Sequence, residues 1–151
     1  MHIRLLAVGS KQPQWVDDCC ALYQLRLPKT WRFQLVEIAQ GKPGKNDKAR
    51  QGQRVLDALG PSESVIALDE RGKSMSSEKF SEQLGRWSQD AHDLAFVIGG
   101  ADGLDKSVLD CSLMTLSLSP MTMPHGMARA MFMEQLYRAH SLLAGHPYHR
   151  G

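Results

Sequence analysis

The sequence predicts an α/β fold with a mainly parallel sheet of five or six strands, covered by helices on both faces. Short apolar runs alternate along the chain with segments of helical periodicity. The runs at residues 64–68 and 94–98 are almost entirely apolar. Strands without a polar face are typical of parallel sheets that helices bury on both sides. No linker, repeat or low-complexity tract divides residues 1–151, so we expect one domain.

Turn-forming residues delimit the elements predicted in the first half of the chain. Gly9 follows the first apolar run, Pro28 follows the first helical pattern, and Gly60 follows the second. Apolar runs predict the strands, and apolar side chains three or four residues apart predict the helices. In chain order the expected elements are a strand at residues 3–8, a helix at 14–27, a strand at 33–38, a glycine-containing loop at 40–46 and a helix at 47–59.

The second half of the chain continues the alternation. Ser74 or Ser76 is expected to cap a third helix, and Gly145 and Pro147 are expected to end the last one. One face of the third helix carries large apolar side chains, namely Phe80, Leu84 and Trp87. The other expected elements are strands at residues 64–68, 94–98 and 114–118, a short helix at 105–111 and a final helix at 125–144.

The composition excludes several classes of protein. Apolar residues make up 42% and charged residues 23% of the chain, as in ordinary globular domains. No run approaches the roughly 18 apolar residues of a membrane span, and the first residues resemble a strand rather than a signal peptide. The cysteines, Cys19, Cys20 and Cys111, form neither a disulfide framework nor a recognisable metal site. We therefore expect a reduced, cytoplasmic protein that binds neither a metal nor a membrane.

The net charge of +2 is unevenly distributed. Residues 1–60 carry ten Lys and Arg residues against five Asp and Glu residues, whereas the remainder is slightly acidic. The basic excess includes a patch in and just after the loop of residues 40–46, formed by Lys42, Lys45, Lys48, Arg50 and Arg54. Such a patch suits contact with phosphate, and a solvated loop and helix surface explains the same charges.

Three loops lie where an α/β sheet usually binds its ligand, beyond the carboxyl ends of the strands. They span residues 68–72, 98–103 and 118–125. In the second loop Gly99 and Gly100 allow a ligand to approach the main chain closely, although a plain tight turn needs the same glycines. Their spacing matches neither a Walker A motif nor a dinucleotide-binding fingerprint.

The third of these loops carries the most information. Pro120 and Pro124 restrict the main chain on both sides of residues 121–123, which holds amides and carbonyls in a defined curve. Such a loop suits recognition of an adenine edge by main-chain hydrogen bonds, with methionines covering the ring. Six of the eight methionines lie between Met114 and Met133. On the last helix we expect them in the core or in a subunit interface.

Polar residues on the last helix and in the tail are further candidates. Arg129 lies one turn after His125, near the start of the helix, where the helix dipole disfavours a cation, and this placement hints at a function. Arg138 follows Glu134 by four residues, a spacing that also fits an ordinary surface pair. The tail ends in three groups suited to stacking on a base and bonding its edges and phosphate, Tyr148, His149 and Arg150. A frayed terminus is the alternative interpretation of the tail.

Taken together, several motifs resemble the ribosomal RNA large subunit methyltransferase H family, which belongs to the SPOUT class of methyltransferases. The matching segments are residues 97–104 (VIGGADGL), 116–125 (LSLSPMTMPH), 128–129 (AR), 134–139 (EQLYRA) and 146–150 (HPYHR), with residues 6–9, Trp15, Tyr23 and the glycine-containing segment 41–46. The resemblance therefore covers essentially the whole chain.

The resemblance implies an S-adenosylmethionine-dependent enzyme that methylates N3 of a pseudouridine in a stem-loop of 23S rRNA on the ribosome and leaves S-adenosylhomocysteine. It also implies a homodimer and a C-terminal trefoil knot. By the family pattern the cofactor pocket maps onto Leu68, Gly99, Gly100, Leu118, Ser119, Pro120, Met121, Thr122 and Met123. The implied catalytic residues are Arg129, Tyr148 and His149, with His149 as a base and Arg129 stabilising charge on the ring oxygens. The implied substrate contacts are Lys42, Lys45, His125, Arg138 and Arg150.

The chain departs from the family pattern at a few positions. The segment after Asn46 is short, Gln51 stands where the family commonly has Glu, and residues 101–102 are Ala-Asp where Pro-Glu is common. The glycine frame of the second loop is intact. Two other functions account for part of the sequence: a non-enzymatic RNA- or ribosome-binding protein that uses the basic patch, and a flavodoxin-like domain that binds an anionic ligand.

Overall fold

A five-stranded parallel sheet forms the centre of the fold. The computed structural model describes residues 1–44, 47–90 and 92–150, and of His149 only the main chain. Within these residues the strands are β1 (Ile3–Val8), β2 (Gln34–Ile38), β3 (Glu63–Ser74), β4 (Asp93–Ile98) and β5 (Met114–Ser117). They lie in the order β2-β1-β4-β3-β5, and all neighbouring strands are parallel. The predicted α/β class is confirmed, with five strands.

Helices separate the strands along the chain, as the periodicity predicts. They are α1 (Gln14–Arg26), α2 (Asp47–Ala58), α3 (Ser77–Gln89), α4 (Lys106–Cys111) and α5 (His125–Ala144), with short 3-10 helices at Lys29–Trp31 and Pro147–Arg150. Ser76, one of the two predicted caps, accepts a hydrogen bond from the main-chain N–H of Lys79. Gly145 ends α5 in the left-handed conformation, with a φ of 70°.

The helices cover both faces of the sheet. One face packs against α1, α3 and α5, and the other packs against α2 and α4. At the centre of the first core the ring of Phe96 contacts three aromatic side chains, Phe80, Trp87 and Phe132. In the second core Val55 of α2 and Val108 of α4 are fully buried. The apolar strands therefore have no solvent-facing side, as the sequence predicts.

Strand β3 is longer than the sequence predicts. After Leu68 the pairing with β5 shifts register, and β3 resumes beside β5 at Lys73 and Ser74. The prediction of a loop at residues 68–72 was wrong because main-chain pairing does not require apolar side chains. Gly72 makes this second passage possible, since a Cβ there would lie 2.7 Å from the carbonyl oxygen of Thr115.

The chain connections reverse direction between β1 and β4. From β1 the chain crosses through α1 to β2 on one side, and from β4 it crosses through α4 to β5 on the other. Such a reversal opens a crevice beyond the carboxyl ends of the two strands, where α/β proteins bind ligands. Gly9 follows β1 at this edge, and Gly99 follows β4. Among the described residues we find no helix that is long and apolar enough to cross a membrane.

Candidate functional site

A cavity of about 890 Å³ opens at the carboxyl edge of the sheet. The loops after β1, β4 and β5 and the shifted part of β3 line it. Of the predicted cofactor residues it includes Leu68, Gly99, Gly100, Leu118, Ser119, Met121, Thr122 and Met123. Pro120 is exposed and does not line the cavity. The sequence therefore placed nearly all of these residues at one site.

The loop after β4 is folded tightly against itself. The N–H of Gly103 donates to the carbonyl oxygen of Gly100 at 3.0 Å, and Gly103 has a positive φ of 81°. A Cβ at Gly99 would lie 2.6 Å from the carbonyl carbon and oxygen of Gly103. For a Cβ at Gly100 the nearest atom would be the side-chain oxygen of Gln51, at 3.0 Å. The paired glycines thus form a tight turn, and this turn is also a wall of the cavity.

The two-proline loop forms another wall of the cavity. The side-chain oxygen of Ser119 accepts a hydrogen bond of 3.0 Å from the N–H of Met121 and fixes the first turn of the loop. The Met121 side chain is 76% exposed although the residue also lines the cavity. An apolar side chain held at a cavity rim is suited to covering the face of a planar ligand.

Three charged residues of the shifted part of β3 also line the cavity: Asp69, Glu70 and Arg71. Sequence reasoning singled out the position of this loop but named only Leu68 in it. Asp69 accepts hydrogen bonds from the N–H and from the guanidinium of Arg71. The guanidinium contact contributes most to lowering the pKa of Asp69. Asp69 is therefore an ionised carboxylate at neutral pH, held against the cavity wall.

Arg129 is fully buried and does not itself line the cavity. Its Nε donates to Nε2 of His125 at 2.8 Å, and its Nη2 donates to the carbonyl oxygen of Gly9 at 3.1 Å. A carboxylate oxygen of Glu37 lies 3.7 Å from Nη2. Among the described residues, Nη1 of Arg129 is the one buried side-chain nitrogen or oxygen without a hydrogen-bond partner. The guanidinium thus holds main chain and an imidazole and has no exposed surface toward a substrate.

His125 occupies the first position of α5 and contributes to the cavity lining. Its Nδ1 lies 2.9 Å from the carbonyl oxygen of Gly99. Burial lowers the pKa of His125, and the nearby charge of Arg129 contributes to the lowering. The imidazole is therefore neutral at physiological pH, in contact with the glycine loop.

The C-terminal tail is docked on α1 and α5. The Tyr148 hydroxyl lies 3.0 Å from that of Tyr23 and 3.2 Å from a carboxylate oxygen of Glu134. Its ring contacts that of Tyr137 edge-on at 4.6 Å, and the guanidinium of Arg138 lies 5.2 Å from its centre. Burial, followed by the Tyr23 hydrogen bond, raises the pKa of the Tyr148 phenol. The Tyr148 side chain is therefore packed against α1 and α5, and its hydroxyl stays protonated at neutral pH.

Within a single chain, the described residues of the tail do not line the cavity. Glu134 lies nine residues beyond His125 on α5, about 13 Å along the helix axis. Arg138 pairs with Glu134 at 2.9 Å, as its spacing predicts, and Arg150 is exposed. The side chain of His149 lies outside the described part of the structure. The predicted catalytic residues therefore divide between a buried position, Arg129, and the docked tail.

Part of the basic patch is used internally. Arg54 donates to the carbonyl oxygen of Ala39 at 2.7 Å, and Arg50 pairs with Asp47. Lys42 is exposed, and Lys48 lines the cavity. The fifth member, Lys45, lies outside the described residues. Two of the predicted phosphate contacts thus brace the loop between β2 and α2 through main chain and a carboxylate. Within the described ranges there is no cluster of His, Cys, Asp and Glu that would hold a metal ion.

Comparison with known proteins adds independent findings. A family model described as a predicted SPOUT methyltransferase matches residues 1–149. The chain is 44% identical to a ribosomal RNA large subunit methyltransferase H from Laribacter hongkongensis, over 99% of both chains. It is 45% identical to the protein of that name from Chromohalobacter salexigens, over 99% of this chain and 100% of the relative.

Two solved structures share the fold. A probable methyltransferase from Bordetella pertussis Tohama I aligns with a TM-score of 0.61 over 91% of this chain and 95% of that one, at 16% identity. A probable methylase family protein from Haemophilus influenzae Rd KW20 has the same TM-score over 97% of this chain and 69% of that one, at 12% identity. At such low identity these structures show the fold alone.

Proposed function

The chain belongs to the ribosomal RNA large subunit methyltransferase H family of SPOUT methyltransferases, and from this premise we propose that it transfers the methyl group of S-adenosylmethionine to N3 of a pseudouridine in large-subunit ribosomal RNA. That it is a methyltransferase decides against the two alternatives that the sequence left open, a non-enzymatic RNA-binding protein and a flavodoxin-like domain. The pseudouridine, the cofactor, the cytoplasmic ribosome as partner and the C-terminal knot are parts of the proposal.

The cavity is the observation that supports the cofactor. Its volume, about 890 Å³, is in the range of sites for nucleoside-sized ligands. The tight turn at Gly99 leaves no room for a Cβ, so main chain itself forms that wall. Leu68, Leu118 and Met123 provide apolar surface for an adenine ring, and the main chain of residues 118–123 provides amides and carbonyls for its edge. When bound, S-adenosylmethionine supplies a methyl group already activated by its sulfonium.

The residues of this chain would then position the substrate and handle one proton. The N3 atom of the pseudouridine must lose its proton before or during transfer, so the site needs a base and a group that orients the ring. Tyr148 is unsuited to be that base because its raised pKa keeps the phenol protonated. We therefore assign removal of the N3 proton to His149, or to a water that it orients, and ring and phosphate contacts to Tyr148 and Arg150. Because the described residues of the tail do not line the cavity of their own chain, we place the tail of one chain of the homodimer beside the cavity of the other.

The decisive experiment follows the labelled methyl group. Purified protein is incubated with methyl-labelled S-adenosylmethionine and either ribosomes or free 23S rRNA, and the modified nucleotide is mapped by mass spectrometry. Label on N3 of a single pseudouridine is expected. Label on another base or on no RNA contradicts the proposed reaction. His149→Ala should lose turnover while retaining cofactor affinity in calorimetry, and unchanged turnover would remove His149 from the mechanism.

The basic patch is proposed to hold rRNA phosphates through Lys42, Lys45 and Lys48. Removing one lysine–phosphate interaction should make the slope of log affinity against log salt concentration shallower by about 0.9. Lys42→Glu is therefore expected to weaken ribosome binding and flatten its salt dependence. Lys79→Glu, on an exposed part of α3, is the matched control. Equal effects of the two substitutions would contradict a specific role for the patch.

An exposed apolar surface supports the proposed homodimer. Trp15 and Leu22, seven residues apart on α1, are 50% and 47% exposed, and Met127 on the adjacent α5 is 46% exposed. Light scattering should give twice the mass of one chain, and Trp15→Glu should give a monomer. Leu143→Glu, at an equally exposed position near the end of α5, should leave the dimer intact. A wild-type monomer would contradict the proposal.

A further inference from the structure

A buried arginine and a half-buried histidine connect the ends of the two strands that flank the cavity. We call the hydrogen-bonded pair of Arg129 and His125 the strut. At one end Arg129 donates to the carbonyl oxygen of Gly9, which follows β1, and at the other His125 contacts the carbonyl oxygen of Gly99, which follows β4. The strut therefore joins the ends of β1 and β4 at the crevice where the chain connections reverse direction, and Gly9, Gly99 and His125 all line the cavity there.

The partners of His125 determine its protonation state. An arginine guanidinium carries only donors and remains charged, so Nε2 of His125 must accept the hydrogen bond from Nε of Arg129. The remaining proton then resides on Nδ1, which donates to the carbonyl oxygen of Gly99 at 2.9 Å. The hydrogen bonds of the strut thus require a neutral imidazole with its proton on Nδ1.

Protonation of the imidazole would break the strut. Nε2 of an imidazolium carries a hydrogen, which would face the Nε–H of Arg129 at a separation of 2.8 Å. The guanidinium would retain two partners, the carbonyl oxygen of Gly9 at 3.1 Å and a carboxylate oxygen of Glu37 on β2 at 3.7 Å. The other charged groups on the cavity lining that His125 shares are Lys48 of α2, Asp69, Glu70 and Arg71 of β3, and Asp102 of the glycine loop. The lowered pKa of Asp69 keeps it ionised while His125 titrates.

We infer that His125 is a positioning residue, which holds the glycine loop in its cofactor-binding shape only while the imidazole is neutral and bonded to Arg129. This inference rests on the proposed function, because the cofactor is part of that proposal. Its consequence is that acid releases the cofactor through a change in loop geometry. Arg129, predicted to touch the substrate, acts through His125 and Gly9 instead.

Calorimetric titrations between pH 8 and pH 5 provide the first test. S-adenosylhomocysteine lacks the sulfonium charge of S-adenosylmethionine, so the two ligands separate loop geometry from charge repulsion. Both affinities should fall below the pKa of His125, with a slope approaching tenfold per pH unit, the limit for one coupled proton. Constant affinity of wild-type protein over this range overturns the inference, as does a loss confined to S-adenosylmethionine. If neither ligand binds at pH 8, the proposed function fails instead.

Two substitutions at half-buried histidines sharpen the test. His125→Asn retains an N–H near the position of Nδ1 and cannot gain a proton, so its affinity should be independent of pH. At pH 8 the loss of the Arg129 hydrogen bond should reduce affinity by about tenfold. His140→Asn, on the same helix but packed on Trp31 away from the cavity, should retain the wild-type pH profile. A pH profile that persists in His125→Asn overturns the inference.

A spectroscopic measurement needs no ligand. Long-range proton–nitrogen spectra of the labelled protein distinguish the two neutral imidazole tautomers and the imidazolium, and His125→Asn identifies the resonance. We expect the tautomer protonated on Nδ1 at pH 7. A proton on Nε2, or an imidazolium at that pH, is incompatible with the strut. The tautomer can be measured even if the proposed cofactor is wrong. Failure of the inference about His125 can therefore be distinguished from failure of the proposed function.

Discussion

Replacing Gly99 with alanine tests whether the tight turn after β4 forms the cofactor wall. The new Cβ would lie 2.6 Å from the carbonyl of Gly103, where ordinary contacts begin near 3.4 Å. The main chain at Gly103 and Leu104 must therefore move by roughly 0.8 Å, because no flexible side-chain end can absorb the overlap. We expect a displacement of this size at a binding site to reduce ligand affinity by about 10- to 100-fold. Overpacking should also lower the free energy of unfolding by about 1–3 kcal/mol.

The neighbouring glycine provides a matched control. A Cβ at Gly100 would meet the end of the Gln51 side chain at 3.0 Å, and that side chain can rotate away. Calorimetry with S-adenosylhomocysteine should therefore show a 10- to 100-fold loss for Gly99→Ala, and a loss of less than about threefold for Gly100→Ala. Thermal melts should place Gly99→Ala about 3–10 °C below wild type. Wild-type affinity in Gly99→Ala, or equal losses in the two variants, would refute the reasoning.

Three further predictions concern stability. Glu63→Gln should lower the free energy of unfolding by about 2–3 kcal/mol in urea titrations, because it leaves the half-buried Arg4, bonded to Glu63 at 2.6 Å, without a charged partner. Burial, the largest single influence, raises the pKa of Glu63, but the hydrogen bonds from Arg4 and from the N–H of Gly60, together with the nearby positive charge, outweigh it and lower that pKa. Wild-type stability should therefore fall as pH drops below about 4.5, and Glu63→Gln should flatten this fall. Gly52→Ala should lower the melting temperature by several degrees, because its Cβ would lie 2.7 Å from the Cβ of Asp105, the residue that caps α4. Arg129→Met should be at least as stable as wild type in the same titrations but bind cofactor more weakly.

The sequence predicts the elements of this fold closely because their signals are local. Every predicted strand and helix is present, and most boundaries agree within one or two residues. The exception is β3, whose pairing beyond Leu68 depends on the main chain of β5 and on the absence of a side chain at Gly72. Nothing in the charged run of residues 69–73 indicates a strand, so no periodicity argument could have found it.

The candidate site could be predicted where chain topology alone fixes positions. Loops after parallel strands meet at one edge of the sheet, so Gly99 and the loop of residues 118–123 were expected to lie together, and they do. Partners brought from distant segments were not predictable. Arg54 looked like a phosphate contact but donates to the carbonyl of Ala39, and Tyr148 was as consistent with a frayed end as with the docked phenol observed.

Arg129 shows how an energetic anomaly indicates function without revealing its form. Its position one turn from the start of α5 is disfavoured by the helix dipole, and the structure adds the cost of full burial. The 3.7 Å contact with the half-exposed Glu37 is a weak compensation, and Nη1 has no partner among the described residues. A methionine would fill the same space without desolvating a charge, so stability alone does not account for an arginine there. What it supplies is a fork of donors that reaches both the carbonyl oxygen of Gly9 and Nε2 of His125. The proposed role of Arg129 follows from these two contacts, because a guanidinium that holds Gly9 and His125 would act on the shape of the cavity rather than on the substrate.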